Sequence, residues 1–407
     1  MADDLTGASD SGVQLARRGV ETIVVLDLAS IAGLRTRDAL VVDADSRGLH
    51  PRKAYERVAE VTRRLREAGC ARVYKKLDST LRGNLGAELD AAMEALGLDL
   101  AVIAPAFPSN GRTTVGGCQL LHGVPVRDTE LGRDPGYPVR DSDVVGLLNV
   151  QSRRAAGLVE LATVRAGREA IVSAVSQLRG RGVQLVVFDA ETDEDLRVVA
   201  GALVGMEPDV LWAGSAGLAD ALAGAWGLRE GNRGTTRLER RGRPVLLVTG
   251  SPSAVTRAQV ERYALQPGVK RVELDPTALL LGDTEAAGKC VAALRQARDV
   301  ALTLGSGGSS DTAPAVPERL ADALGQVAAR VIQAGEPGSV ILVGGDTARA
   351  VCRWLHVWGI RLLDELEPGV ALGELIGAND LLAVTKAGAF GNPETLVSAL
   401  HTLRGGD

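Results

Sequence analysis

Short β-branched runs alternate with longer amphipathic stretches along most of this chain, and that alternation restricts it to one broad fold class. The pattern runs ETIVVLD (21–27), a helical stretch near 51–68, ARVYKK (71–76), another helical stretch near 85–96, and DLAVIAP (99–105). A helical stretch near 166–180 then precedes VQLVVFDA (183–190). Such alternation predicts an α/β fold with largely parallel sheets, because parallel neighbours need a crossover, usually a helix. Ligands of such sheets sit beyond the carboxyl ends of the strands, so the strand-to-helix loops are where chemistry is expected.

The alternation restarts near 244, with strands expected near 245–249, 271–274, 299–304, 339–343 and 381–385. Between the blocks, REGNRGTTRLERRGR (229–243) has neither period. The chain therefore reads as two α/β domains, residues 1–230 and 244–407, joined by a linker over 231–243. Residues 106–145 carry Pro108, Pro125, Pro135 and Pro138 and read as a functional loop with a short hairpin around His122–Gly123.

Net charge is −5 with both signs interspersed, so no basic footprint for nucleic acid is present. No apolar run reaches the ~20 residues of a membrane helix, and no signal peptide opens the chain, so a cytoplasmic location is expected. Cys70, Cys118, Cys290 and Cys352 are far apart and read as four buried, reduced thiols. A homo-oligomer is compatible with the sequence, which fixes no oligomeric state.

Three loops of the first block gather polar groups. ADDLTGASDSG (2–12) holds Asp3, Asp4 and Asp10. Ser9 or Asp10 can cap a helix through VQLARRG that stops at Gly19, which leaves Asp3 and Asp4 for a ligand. KKLDSTLRGN (75–84) places Lys76, Asp78, Ser79 and Arg82 between a strand and a helix. Arginine offers a planar fork to a carboxylate and aspartate accepts from sugar hydroxyls, so this loop suits a small polyhydroxylated acid. PAFPSNGRTTVGG (105–117) adds Ser109, Asn110, Arg112, Thr113 and Thr114, or is a plain Pro/Gly turn.

The second block presents glycine-rich strand ends instead: VTGSPS (248–253), VGGDTARAV (343–351) and TKAGAFG (385–391), with LGSGGSSD (304–311) as a fourth candidate. Helix starts with free amides and close backbone approach favour phosphate oxygens. Three such loops point to a nucleotide. Walker A does not fit, since GDTEAAGKC (282–290) has one residue too many and Cys in place of Ser or Thr. No GxGxxG follows the first strand of either block, which argues against a nicotinamide enzyme.

Five of these segments, ADDLTGASDSG, YKKLDSTLRGN, APAFPSNGRTTVGG, VGGDTARAV and TKAGAFG, together resemble the four-carbon acid sugar kinases, in the family's order and across residues 2–391. The resemblance implies an N-terminal domain for the sugar acid, a C-terminal domain for ATP with Mg²⁺, and an interdomain active-site cleft. It implies phosphorylation of the terminal hydroxyl of a tetronate such as D-threonate or D-erythronate. The alternatives are a 3-oxo-tetronate 4-kinase and a non-catalytic sugar-acid and nucleotide sensor. By resemblance Asp3, Lys76, Ser79, Arg82, Asn110 and Arg112 bind substrate, with Arg82 on its carboxylate. Asp4 or Asp78 takes the hydroxyl proton. Ser251, Gly344, Gly345, Asp346, Thr347, Gly388 and Gly391 hold the nucleotide. Family members carry an apolar strand before ADDLTGA. Here only Met1 and Ala2 precede it, so weak anchoring of Asp3 and Asp4 is expected.

Overall fold

The structure, a computed structural model, describes residues 1–33, 39–134, 136–206, 209–228, 242–282, 285–305, 317–379 and 381–405. The chain divides into two compact units, Met1–Gly231 and Asn232–Asp407. Of the linker expected over 231–243, residues 231–241 lie outside the described residues, as does 306–311 of the fourth glycine-rich loop.

The strands of the first unit are β1 (Thr22–Val25), β2 (Ala39–Val42), β3 (Tyr74–Lys76), β4 (Ala101–Ala104), β5 (Arg112–Val115), β6 (Cys118–Leu121), β7 (Val124–Pro125), β8 (Ala155–Val159), β9 (Val183–Phe188) and β10 (Leu211–Gly214). β1 and β2 pair in parallel, and β3, β10, β4, β9 and β8 lie side by side in that order, all parallel. Leu100, Val102, Val186, Phe188 and Trp212 of this sheet are buried in the core of the unit.

Residues 1–2 join these two groups of strands. The Met1 ammonium donates to Tyr74 O at 2.9 Å, and Lys76 N donates to Met1 O at 2.8 Å. On the other side Ala2 N donates to Val42 O and Ala44 N to Ala2 O, both at 2.8 Å. Two residues thus hold the central position between β2 and β3, and Asp3 and Asp4 leave it anchored on both flanks. The chain departs through helix α1 (Leu5–Ala16) to β1, returns by β2, and crosses through α2 (Pro51–Glu67) to β3. That reversal of direction is a topological switch point, and it brings together the loops after Ala2, β2 and β3.

Helix α1 starts earlier than its sequence suggests. Asp4, not Ser9 or Asp10, is its N-cap, in extended conformation with Oδ1 accepting from Gly7 N. Ser9 and Asp10 are interior helical residues and buried. The helix ends at Ala16, with Gly19 at φ +78 closing the turn beyond. In α2, Pro51 occupies the first turn and Ala54, Val58, Val61 and Leu65 bury one face at helical spacing. Helix α3 (Leu85–Leu96) stops at Gly97 in the left-handed region, φ +70.

β5, β6 and β7 form a small antiparallel sheet. Its turns are Gly116–Gly117 (φ +59, +74) and the expected His122–Gly123 (φ +49, +80), both of the kind that needs positive φ at two positions. Asp189 is buried at the end of β9 and accepts from the amides of Gly116 (2.8 Å), Gly117 (2.9 Å) and Leu161 (3.1 Å).

In the second unit the strands are β11 (Val245–Thr249), β12 (Val269–Leu274), β13 (Asp299–Leu304), β14 (Ser339–Val343), β15 (Gly359–Glu367), β16 (Val370–Ile376) and β17 (Leu381–Lys386). β12, β13, β11, β14 and β17 are parallel in that order, and β16 and β15 continue antiparallel. The chain passes from β11 to β12 and β13 on one side and then to β14 on the other. A second switch point therefore lies between β11 and β14. Among the described residues no helix is long and apolar enough to cross a membrane. All four cysteines are free, but only Cys290 and Cys352 are buried. Cys70 and Cys118 are half-buried, which corrects the expectation of four buried thiols.

Removing the Asp189 carboxylate strands the buried Gly117 amide, worth ~1–3 kcal/mol when unpaired, and frees the part-buried amides of Gly116 and Leu161. Asp189→Ala is therefore expected to lower the unfolding free energy by about 1–3 kcal/mol, read by urea denaturation.

Candidate active site

One guanidinium organises the polar end of the first unit. Arg47, in the loop between β2 and α2, donates from Nε to Asp3 Oδ2 and from Nη1 to Asp4 Oδ2, each at 2.7 Å. Its Nη2 lies 3.7 Å from Asp78 Oδ1. Asp78 is further held by Arg82, which donates from Nε at 2.8 Å, from Nη2 at 3.2 Å and from its amide at 3.1 Å. Thr80 Oγ1 donates to the same carboxylate at 2.5 Å.

These contacts set the charge states. Burial opposes ionisation of Asp78, but Arg82 and Arg47 outweigh it and hold the carboxyl well below the ordinary aspartate range. Burial likewise opposes the charge on Asp3, and Arg47 and Lys75 hold it low. Arg47 itself is buried, yet Asp3, Asp4 and Asp78 raise its pKa well above the ordinary value. Asp4 has both oxygens engaged, Oδ1 by Gly7 N and Oδ2 by Thr6 and Arg47. Asp3 Oδ1, among the described residues, is buried and accepts no hydrogen bond.

Lys76 is 4% exposed, and its ammonium makes one hydrogen bond among the described residues, to Leu77 O at 2.9 Å. It points across the first turn of α1, where a Cβ on Gly7 would stand 3.1 Å from Nζ. Arg112 is buried at the start of β5, and Nη1 donates to Asn110 Oδ1 at 2.5 Å. Burial pushes its pKa down to about 10, against the attraction of Asp78 and Asp10. Ser79 is tied in through its carbonyl, which accepts from the buried Gln119 Nε2 at 2.7 Å. The expected residues Asp3, Asp4, Lys76, Asp78, Ser79, Arg82, Asn110 and Arg112 thus lie at or beyond the carboxyl ends of the Met1–Ala2 segment, β3 and β4, with Arg112 opening β5. Ser109 is exposed and Thr114 is spent on Gln119 Oε1 at 2.7 Å. Arg47, Gln119 and the Lys75–Glu88 pair were not foreseen.

The second unit builds a different kind of site. The pairing of Thr249 with Val343 and of Val343 with Lys386 puts three glycine loops side by side. Gly344, at φ +98, is the N-cap of helix Gly345–Trp354 and makes no side-chain cap. Thr347 is buried in the same turn and Asp346 is exposed there. A Cβ on Gly388 would meet Ser251 Oγ at 2.1 Å, and Thr256 Oγ1 donates to Gly388 O at 2.7 Å. Gly391, at φ +82, lies against Thr395, whose Oγ1 takes Asn392 N at 2.9 Å. Backbone laid bare at a switch point, beside hydroxyls and a helix N-terminus, fits the phosphates of a nucleotide. Among the described residues no group of three or more His, Cys, Asp or Glu is arranged to hold a metal ion.

A cluster of paired charges in one unit and bare-backbone glycine loops in the other fit the needs of a phosphotransferase. The family model described as Sugar-binding N-terminal domain matches residues 1–222, and that described as Nucleotide-binding C-terminal domain matches 246–396. The chain belongs to the four-carbon acid sugar kinase family. It is 37% identical to a D-threonate kinase of Cupriavidus necator (99% of this chain, 97% of that one) and 34% identical to a D-erythronate kinase of Heliobacterium modesticaldum (99% and 96%). A 3-oxo-tetronate kinase of Pseudomonas fluorescens is 30% identical (100% and 97%). Among solved structures, a Salmonella typhimurium LT2 protein superposes with TM-score 0.79 at 26% identity, with 98% of each chain covered.

The low Asp78 pKa has a thermodynamic consequence. A carboxyl whose folded pKa is depressed adds stability above its unfolded value, near pH ~4, and loses it as the pH falls towards the folded value. Asp78→Asn is expected to lower stability at neutral pH and to flatten the stability curve below about pH 4, measured by denaturant unfolding against pH.

Proposed function

We propose that this chain is an ATP-dependent kinase that phosphorylates the terminal hydroxyl of D-threonate or D-erythronate. The observation that carries the substrate class is the 34–37% identity, over nearly the full chain, to kinases of those two acids, against 30% to kinases of 3-oxo-tetronates. The charged cluster of the first unit supports it, because a short polyhydroxylated carboxylate needs cationic donors and carboxylate acceptors close together.

Phosphoryl transfer asks for positioning and charge stabilisation more than covalent chemistry. Lys76 has donors to spare and binds the substrate carboxylate together with Arg82, whose Nε and Nη2 are already committed to Asp78. Asp3 Oδ1 accepts from a substrate hydroxyl. Asp78 is the better proton acceptor, since its Oδ1 has only the longer contacts of 3.2 and 3.7 Å. Asp4 is committed to capping α1 and to Arg47. A weakly basic aspartate suffices, because the transition state is loose and the hydroxyl needs orientation before it needs deprotonation. Asn110 and Arg112 close the substrate side. The nucleotide phosphates take Ser251, the helix-start turn Gly344–Thr347, and the backbone of Gly388 and Gly391. Mg²⁺ carried on those phosphates supplies charge neutralisation. Free thiols and dependence on ATP suit the cytoplasm.

A coupled ADP-release assay against D-threonate, L-threonate, D-erythronate, L-erythronate and 3-oxo-tetronates tests the reading. Turnover of a D-tetronate is expected to exceed the rest; preference for a 3-oxo-tetronate, or no ADP release at all, overturns it. In the same assay Asp78→Asn is expected to cut kcat by at least ~100-fold while ATP still binds. Gly388→Val is expected to displace Ser251 and weaken nucleotide binding at least ~10-fold by calorimetry, with sugar-acid binding retained.

A further inference from the structure

Beneath the Arg47 cluster lies a buried ion pair that the proposed reaction does not use. Lys75 is fully buried at the end of β3, and its Nζ sits 2.7 Å from Glu88 Oε2. Glu88 is in the first turn of α3 and is 2% exposed. Its other oxygen, Oε1, accepts from Ser46 Oγ at 2.6 Å. Ser46 directly precedes Arg47. The two oxygens of one carboxylate therefore hold two different parts of the site. One grips the loop that carries Arg47. The other grips the strand that leads directly into Lys76 and Asp78.

The Arg47 loop has further anchors, several of them on the start of α3. It lies between β2 and α2 with Asp45 in the left-handed region, φ +49. Ser46 N and Arg47 N both reach Asp3 O, at 3.0 and 3.3 Å, and Asn84 Nδ2 reaches Ser46 O at 3.2 Å and Leu49 O at 2.9 Å. Asn84 and Glu88 are one helical turn apart, joined by Glu88 N to Asn84 O at 2.9 Å. The start of α3 thus clamps the Arg47 loop at two points. Burial and the nearby Asp3 raise the Glu88 pKa despite Lys75, so this charge is held at a cost that packing alone does not explain.

We propose that Glu88 is a positioning residue that sets the spacing between Arg47 and Asp78 through Ser46 on one side and Lys75 on the other, and so tunes recognition of the sugar acid without touching it. This rests on the functional reading above. The Glu88 carboxylate is bound to Ser46 and Lys75 of the first unit, and nucleotide binding serves as the control.

The test compares Ser46→Ala, which removes only the hydroxyl link, with Glu88→Gln, which keeps shape and loses charge. Full-length variants are assayed with the better of D-threonate and D-erythronate, and ATP binding is measured by calorimetry. Both are expected to raise KM for the sugar acid at least ~10-fold, the scale of one hydrogen bond to a charged group. Nucleotide affinity is expected to stay within about twofold, a difference well under ~1 kcal/mol. A melting temperature that falls while KM for the sugar acid stays put in both variants overturns the proposal and makes the pair purely structural. Should Glu88→Gln fail to fold, Ser46→Ala decides alone. A wild type that phosphorylates no tetronate overturns the functional reading and this inference with it; an active wild type whose Ser46→Ala keeps its KM overturns the inference only.

Discussion

Arg47 makes it possible to gather three aspartates, Asp3 and Asp78 buried and Asp4 half-buried, within one loop cluster. Carboxylates taken out of water cost several kcal/mol apiece unless a cation is paired to them with good geometry. The guanidinium has that geometry for Asp3 and Asp4 together, Nε to one and Nη1 to the other at 2.7 Å, and it still approaches Asp78. Lysine has no planar fork and would leave one acid stranded. The start of α1, the turn after β2 and the loop after β3 are therefore a single electrostatic unit. Five cations, Arg47, Lys75, Lys76, Arg82 and Arg112, face five acids, Asp3, Asp4, Asp10, Asp78 and Glu88. On the proposed function an incoming carboxylate must share a cation already in use or take unused donors, and Lys76 has them.

The alternation of strand and helix was legible because long crossovers repeat it many times. What escaped was short or charged. β2 is four residues and β10 is four residues ending in glycine, too brief for a period to show. β15 and β16 were missed for a different reason. Asp364, Glu365, Glu367 and Glu374 break the apolar run, and these half-exposed acids belong to the antiparallel end of a sheet, which tolerates charge where the parallel strands do not. The α1 cap was misplaced because Asp4 and Asp10 are equally good capping residues by type. Only the two-sided pairing of Met1–Ala2 decides that the strand stops at Ala2 and the helix begins at Leu5.

In the site, loops that hold several polar residues in a row were readable, and single residues whose partners are remote in sequence were not. Asp78 and Arg82 meet four positions apart, so their loop announces itself. Arg47 meets Asp3 and Asp4 more than forty positions away, and nothing in SRG distinguishes it from a surface turn. Glu88 looks like a solvated position of the amphipathic helix LGAELDAAMEAL. Only tertiary packing turns it onto Lys75. The three glycine loops were readable because a bare backbone is a composition signal.

On the proposed function the two units recognise their ligands by opposite means, and the chemistry of each ligand class explains why. A phosphate group presents equivalent oxygens and a high charge, so amides and hydroxyls at a switch point suffice, and the working parts of that site are positions where a side chain is absent. In the proposed nucleotide site those positions are Gly344, at φ +98, and Gly388, packed on Ser251. A four-carbon sugar acid presents one carboxylate and a few hydroxyls of fixed stereochemistry, so the site must place donors and acceptors individually. It does so with long charged side chains, each of which has to be held. Lys75, Glu88, Ser46 and Gln119 are that scaffolding, buried and remote from solvent. On the proposed function, specificity among tetronates is expected to reside in the first unit and in the residues that fix its charges, with the glycine loops indifferent to the acid.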